Sequence, residues 1–152
     1  MTAPILVLAV GNPSRGDDAA GPLFAGRAEA LLEADIRAGT VELLQDFQLQ
    51  VEHALDLEGR TEVVFVDASV SCAEPFEFSA VHAREDASFT SHALSPSAVL
   101  HAFGRALGRE PPPSYVLAIR GKQFVLGEEL TESAAYNLDQ ALEFLVARIH
   151  HR

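Results

Sequence analysis

The sequence predicts an α/β fold: a three-layer α/β/α sandwich around a twisted, mostly parallel five-stranded sheet. Three observations carry this expectation. Uninterrupted apolar runs, ILVLAV at residues 5–10 and EVVFVDA at 62–68, suit strands covered on both faces. Near the end of the chain, Ala134, Ala135, Leu138, Ala141, Leu142, Leu145, Val146 and Ile149 recur at the 3.6-residue spacing of a helix. Strand-like and helix-like segments alternate in between, so successive strands are joined by crossovers and pair in parallel.

Taken in order, the run at 5–10 is the first strand, ended by Gly11. The Ala- and Leu-rich stretch 19–32 follows as a helix with Leu23, Arg27, Ala30 and Leu31 at helical spacing. TVELLQDF (40–47) is the second strand and QVEHALDL (50–57) a short helix. The central run at 62–68 is the third strand, and FEFSAV (76–81) alternates as an edge or antiparallel strand does. Ser95 then suits a helix cap, Pro96 the first helical position and Gly108 the stop, with Val99, Leu100, Phe103 and Leu107 as the apolar stripe. Three prolines, Pro111 to Pro113, lead into the strand YVLAI (115–119), and the last helix starts near Thr131. No repeat or shift of composition divides the chain, so 1–152 is expected to be a single domain.

Composition narrows the function. The 152 residues are 48% hydrophobic and 22% charged, which is ordinary for a globular protein with a sizeable core. The formal net charge of -11 opposes binding to nucleic acid or to an anionic membrane surface, and favours a cationic partner or a metal. The single cysteine, Cys72, allows no internal disulfide. No apolar run is long enough to span a bilayer, and the expected location is the cytoplasm.

In a parallel α/β sheet, ligands bind at the carboxyl ends of the strands. After the first strand comes GNPSRGDDAAG (11–21). Gly11 and Gly16 have the spacing of a phosphate-binding loop, but Asp17 and Asp18 stand where its lysine and hydroxyl residue belong. A helix start carries about half a positive charge and suits one capping carboxylate. Two carboxylates oppose a phosphate, which argues against a nucleotide-binding domain. Either one aspartate caps and the other is solvated, or the cap leaves one carboxylate facing the crevice for a cation.

Asp67 ends the central strand, and His92 lies in a polar loop just before Ser95. Parallel strands bring Asp18, Asp67 and His92 to one rim, where two hard oxygens and one imidazole suit a divalent metal with open positions. Each also has an ordinary structural explanation: a cap, a turn residue, a surface histidine. His53, His82, His101, His150 and His151 show no partner in spacing and are expected at the surface. Cys72, close behind Asp67, is a candidate nucleophile, although packing is the commoner role of a lone cysteine.

These segments resemble the hydrogenase maturation proteases, which trim the C-terminus of the large-subunit precursor of nickel-iron hydrogenases. ILVLAVGNPSRGDD, VVFVDAS and SHALSPSAVL match in order and spacing, across nearly all of the chain. The resemblance implies an aspartyl-type endopeptidase in which Asp18, Asp67 and His92 contact the metal. Gly11 and Asn12 shape the turn, and Asp17 is a supporting neighbour. It implies that nickel carried by the precursor is the recognition signal, with no tightly bound cofactor of the enzyme's own. The partner is then the large-subunit precursor, met one-to-one by a monomer. A non-catalytic metal-sensing or chaperone protein docking on the same precursor would use the same three residues. One departure stands out. Many members have a Gly-rich turn after the second strand, where this chain has Asp46, Phe47 and Gln48 in the expected path of the substrate.

Overall fold

The computed structural model describes residues 2–85 and 94–152. Five strands, β1 (Ile5–Val10), β2 (Val41–Asp46), β3 (Glu62–Ser69), β4 (Phe76–Val81) and β5 (Ser114–Arg120), form one sheet in the order β2-β1-β3-β5-β4. Every pairing is parallel except that of the edge strand β4, which runs antiparallel to β5. The helices are α1 (Ala20–Leu31), α2 (Glu33–Arg37), α3 (His53–Asp56), α4 (Pro96–Leu107) and α5 (Glu132–His150). No helix among the described residues is long and apolar enough to cross a membrane.

The alternating side chains of each strand divide the core into two layers. Ile5, Val7 and Ala9 of β1, with Val64 and Val66 of β3, pack under α1 and α5 against Phe24, Ala28, Leu138 and Leu145. Leu6, Leu8 and Val10, with Val63 and Phe65, face the other way toward Leu57, Val99, Leu100 and Phe103 of the α3–α4 layer. Both faces of β1 and β3 are therefore buried, and this is why their sequences run without polar breaks.

The Ser95 cap read from sequence is present, its Oγ accepting the Ala98 amide at 3.1 Å. The last helix starts where expected, and the structure adds that Thr131 caps it, with Oγ1 accepting the Ala134 amide at 3.2 Å. Gly108 closes α4 at φ 66°, a left-handed conformation that favours glycine. The helix expected at 19–32 is α1, Ala20–Leu31, after which the chain turns at Leu32 into α2; Leu23 and Leu31 are exposed. The buried face is Gly21, Phe24, Ala25 and Ala28. It is chosen by close approach to β1, because a Cβ at Gly21 would lie 2.0 Å from the Val10 carbonyl oxygen. The expected helix at 50–57 is one short turn, His53–Asp56.

From β1 the chain crosses to β2 through the α1 layer, then returns through the α3 layer to β3 on the far side of β1. The strand order thus reverses between β1 and β3. Their carboxyl ends frame the crevice where open α/β sheets receive ligands.

Candidate active site

The first turn is built around Gly11. Its φ of 154° disfavours a side chain, and a Cβ there would sit 2.2 Å from the Asp18 carbonyl oxygen. The chain then passes through Asn12 into a short 3-10 turn, Gly16–Ala19, that leads into α1. Asp18 Oδ2 accepts the Asn12 amide at 2.8 Å. The carboxylate reaches back across the turn it terminates.

Neither aspartate caps a helix through its side chain. Asp17, for which sequence offered a cap or a solvated position, is 0% exposed. It accepts the amides of Lys122 at 2.7 Å, Gln123 at 3.2 Å and Thr131 at 2.7 Å, together with the Thr131 hydroxyl at 3.0 Å. Burial works to raise its pKa, but these four donors outweigh it and leave the carboxyl below its ordinary value. Asp17 therefore ties the 122–131 segment to the first turn and, fully buried, does not open onto the cleft.

Asp67 stands at the carboxyl end of β3, beside Ala118 of β5. Its Oδ1 accepts the neighbouring Ala68 amide at 2.8 Å. Burial first, and then the negative charge of Asp18, push its carboxyl up to about 7, while the Ala68 amide opposes the rise. Asp18 and Asp67 face one cleft of about 340 Å³, lined also by Val10, Gly11, Phe47, Gln48, Leu49, Leu94, Ser95 and Pro96. Four chain segments meet there: the first turn, the loop after β2, the end of β3 and the start of α4.

His92, the third expected ligand, lies outside the described residues; Leu94, two positions later in sequence, is part of the cleft wall. Among the described residues no group of three His, Cys, Asp or Glu side chains is placed to hold a metal. Asp18 and Asp67 present two carboxylates, hard oxygen donors, to one cleft.

Cys72 is no part of this cleft. It is 8% exposed, its thiol points to the Ala118 carbonyl oxygen at 3.5 Å, and burial raises its pKa. It packs and remains protonated, which removes the nucleophile reading. His53 also departs from expectation: it is buried, not at the surface. Its Nδ1 accepts the Gln50 amide at 2.8 Å and its Nε2 lies 3.3 Å from Asp46 Oδ2. The spacing of Asp46 and His53 carried no helical or strand signal, so only the return of the chain after β2 brings them together.

No protein-family model matches the chain, and a comparison with curated proteins finds no significant match. Solved structures do match. The nickel-iron hydrogenase maturation protease HycI from Thermococcus kodakarensis KOD1 is 22% identical, with 97% of this chain and 93% of that one covered at a TM-score of 0.72. The hydrogenase maturating endopeptidase HybD from E. coli is 25% identical, with 99% and 93% covered at a TM-score of 0.70. A hydrogenase 2 maturation peptidase from a Thaumarchaeota archaeon is 22% identical, with 95% and 97% covered at 0.67. The likeness read from three short motifs extends through the whole architecture, and over nearly its full length the chain has the fold of the hydrogenase maturation proteases.

Proposed function

We propose that the protein is an endopeptidase that removes the C-terminal extension of a nickel-iron hydrogenase large-subunit precursor after nickel has been inserted. The observation that carries this reading is the pair of carboxylates, Asp18 and Asp67, sharing one open cleft at the strand-order reversal of a maturation-protease fold. One chain acts on one precursor, in the cytoplasm.

The chemistry follows from the two acids. In the free protein the charge of Asp18 and the burial of Asp67 favour a single proton held on Asp67 near neutral pH. An arriving divalent cation reverses that balance, because it favours the ionised form of both groups. Asp18, Asp67 and His92 then engage the nickel carried by the precursor, and the metal-loaded substrate alone brings the cleft to its charged state. Peptide hydrolysis requires a water oxygen to add to the scissile carbonyl and a proton to reach the departing nitrogen. A carboxylate of the pair serves as the base for the water and returns the proton to the amine.

The test is to mix the chain with nickel-loaded and nickel-free precursor and weigh the products. Loss of the C-terminal extension only from the loaded precursor, abolished by Asp18→Ala and by His92→Ala in chains that retain their fold, is the expected result. Stable binding to loaded precursor without any change of mass would replace the protease with a metal-sensing or chaperone protein. Normal cleavage by both variants would remove these residues from the mechanism.

A further inference from the structure

The loop after β2 forms a wall of the cleft, and His53 lies close behind it, between Asp46 and Gln50. Phe47, Gln48 and Leu49 line the same space as Asp18 and Asp67, although His53 itself does not reach it. Phe47 is 65% exposed, whereas Leu49 is buried in the α3–α4 layer. A free phenylalanine at the lip of a polar cleft costs solubility and contributes nothing to the core. Its place is set by a series of bonds. The Asp46 carbonyl accepts the Gly11 amide at 3.1 Å, and Asp46 Oδ1 accepts the Phe47 amide at 2.7 Å. The Leu49 carbonyl accepts the Leu94 amide at 3.2 Å.

His53 closes this arrangement from behind. Its Nδ1 accepts the Gln50 amide at 2.8 Å, and its Nε2 lies 3.3 Å from Asp46 Oδ2. The ring spans the ends of the Phe47–Gln48–Leu49 segment. One nitrogen accepts from the residue after it, and the other lies close to the carboxylate of the residue before it.

Resting on the protease reading above, we infer that His53 is a positioning residue for the substrate: bridging Asp46 and Gln50, it holds Phe47 at the cleft lip as an apolar contact for a nonpolar side chain of the precursor near the scissile bond. A buried histidine that merely stabilises α3 would make the same two contacts, so the test must read substrate affinity as well as stability. The assay is steady-state cleavage of nickel-loaded precursor by wild type, His53→Ala, His53→Asn, Phe47→Ala and the His53→Ala/Phe47→Ala double variant, with thermal unfolding of each.

Phe47→Ala is expected to raise KM about tenfold, the scale of one lost apolar contact, with kcat within about twofold and Tm unchanged. His53→Ala is expected to give a similar rise in KM, and the double variant no more than either alone, since both act through one wall. His53→Asn keeps an acceptor for the Gln50 amide but not the reach to Asp46, and is expected to regain Tm without regaining KM. Should His53→Ala fail to fold, His53→Asn and Phe47→Ala still carry the comparison. Wild-type KM in both Phe47→Ala and His53→Asn overturns the inference while leaving the protease intact. Absence of cleavage by wild type overturns the protease reading, and this one with it.

Discussion

Asp17 Oδ1 accepts the Thr131 amide at 2.7 Å, joining two positions 114 residues apart and fastening the start of α5 to the turn that presents Asp18. Thr131 is itself the cap of α5, so one buried carboxylate organises the first turn, the 122–131 segment and the mouth of the last helix together. Its neighbour Asp18 is left free of that task. The adjacent acids divide the work, one for structure and one for the cleft.

Replacing Asp17 by Ala removes the acceptor of four part-buried donors and is expected to destabilise the protein by about 3 kcal/mol, since an unsatisfied partner of a charged hydrogen bond costs about 1–3 kcal/mol and solvent reaches some of these donors. Asp17→Asn, which keeps the shape but loses the charge, should lie between. Because the folded pKa of Asp17 is depressed, its stabilisation is present above the ordinary value of 3.8 and is lost as pH falls through the folded pKa. Urea unfolding at pH 7 and at stepwise lower pH checks both statements: the gap between wild type and Asp17→Ala narrows in acid.

Asp67 has the opposite sign. With a carboxyl raised from 3.8 to about 7, the folded state holds a proton that the unfolded chain releases, so stability falls as pH rises between those values. Asp67→Asn removes that loss. The variant gains on wild type between pH 4 and 7, by at most about 4 kcal/mol and less where solvent reaches the group, and by nothing further above. Because the ionised form is the one that engages a cation, kcat/KM of the wild type should rise with pH to a plateau above about 7.

The two acids are coupled, and the coupling can be read directly. Asp18→Asn removes the second cause of the Asp67 shift and leaves the first, burial. The Asp67 midpoint, followed by carboxyl carbon resonances in the metal-free protein, is expected to fall in the variant but to stay above the ordinary 3.8. An unchanged midpoint would mean that the two groups do not feel one another.

Gly21 is predicted to be the least replaceable glycine in α1. Alanine there would put its methyl group 2.0 Å from the Val10 carbonyl oxygen, where backbone must move to make room. Such overpacking costs about 1–3 kcal/mol or more. Gly26, whose Cβ position is open, provides the control: Gly26→Ala should match or exceed wild type in thermal unfolding.

Cys72→Ser should leave cleavage of loaded precursor unchanged, and the native thiol should react slowly with iodoacetamide until the protein is unfolded. Burial both screens the sulfur and keeps it protonated. Rapid native labelling would contradict this environment.

Much of the architecture is legible in sequence because burial on two faces leaves a one-dimensional trace. The unbroken runs of β1 and β3, the alternation of β4, the Ser95 cap and the start and stripe of α5 can each be read from neighbours alone. The inward face of α1 is not legible in the same way, because the helix is apolar on several sides and the buried face is selected by the close approach of Gly21 to β1, a contact between separate elements. The burial of His53 was missed for a similar reason: its partners lie on a loop whose return path no local spacing encodes.

The sequence by itself determined the fold class, the order of its elements and the placement of Asp18 and Asp67 just beyond strand ends. Local periodicity and turn chemistry are properties of neighbouring residues, so the chain carries them openly. Tertiary structure alone decided how two adjacent aspartates differ. Asp17 meets four donors from the far end of the chain, and Asp18 lines a cleft with Asp67, whose carboxyl its charge pushes up. In the sequence the two are the same residue in nearly the same place. Their roles separate only when the sheet order brings residues 122–131 to one and β3 to the other.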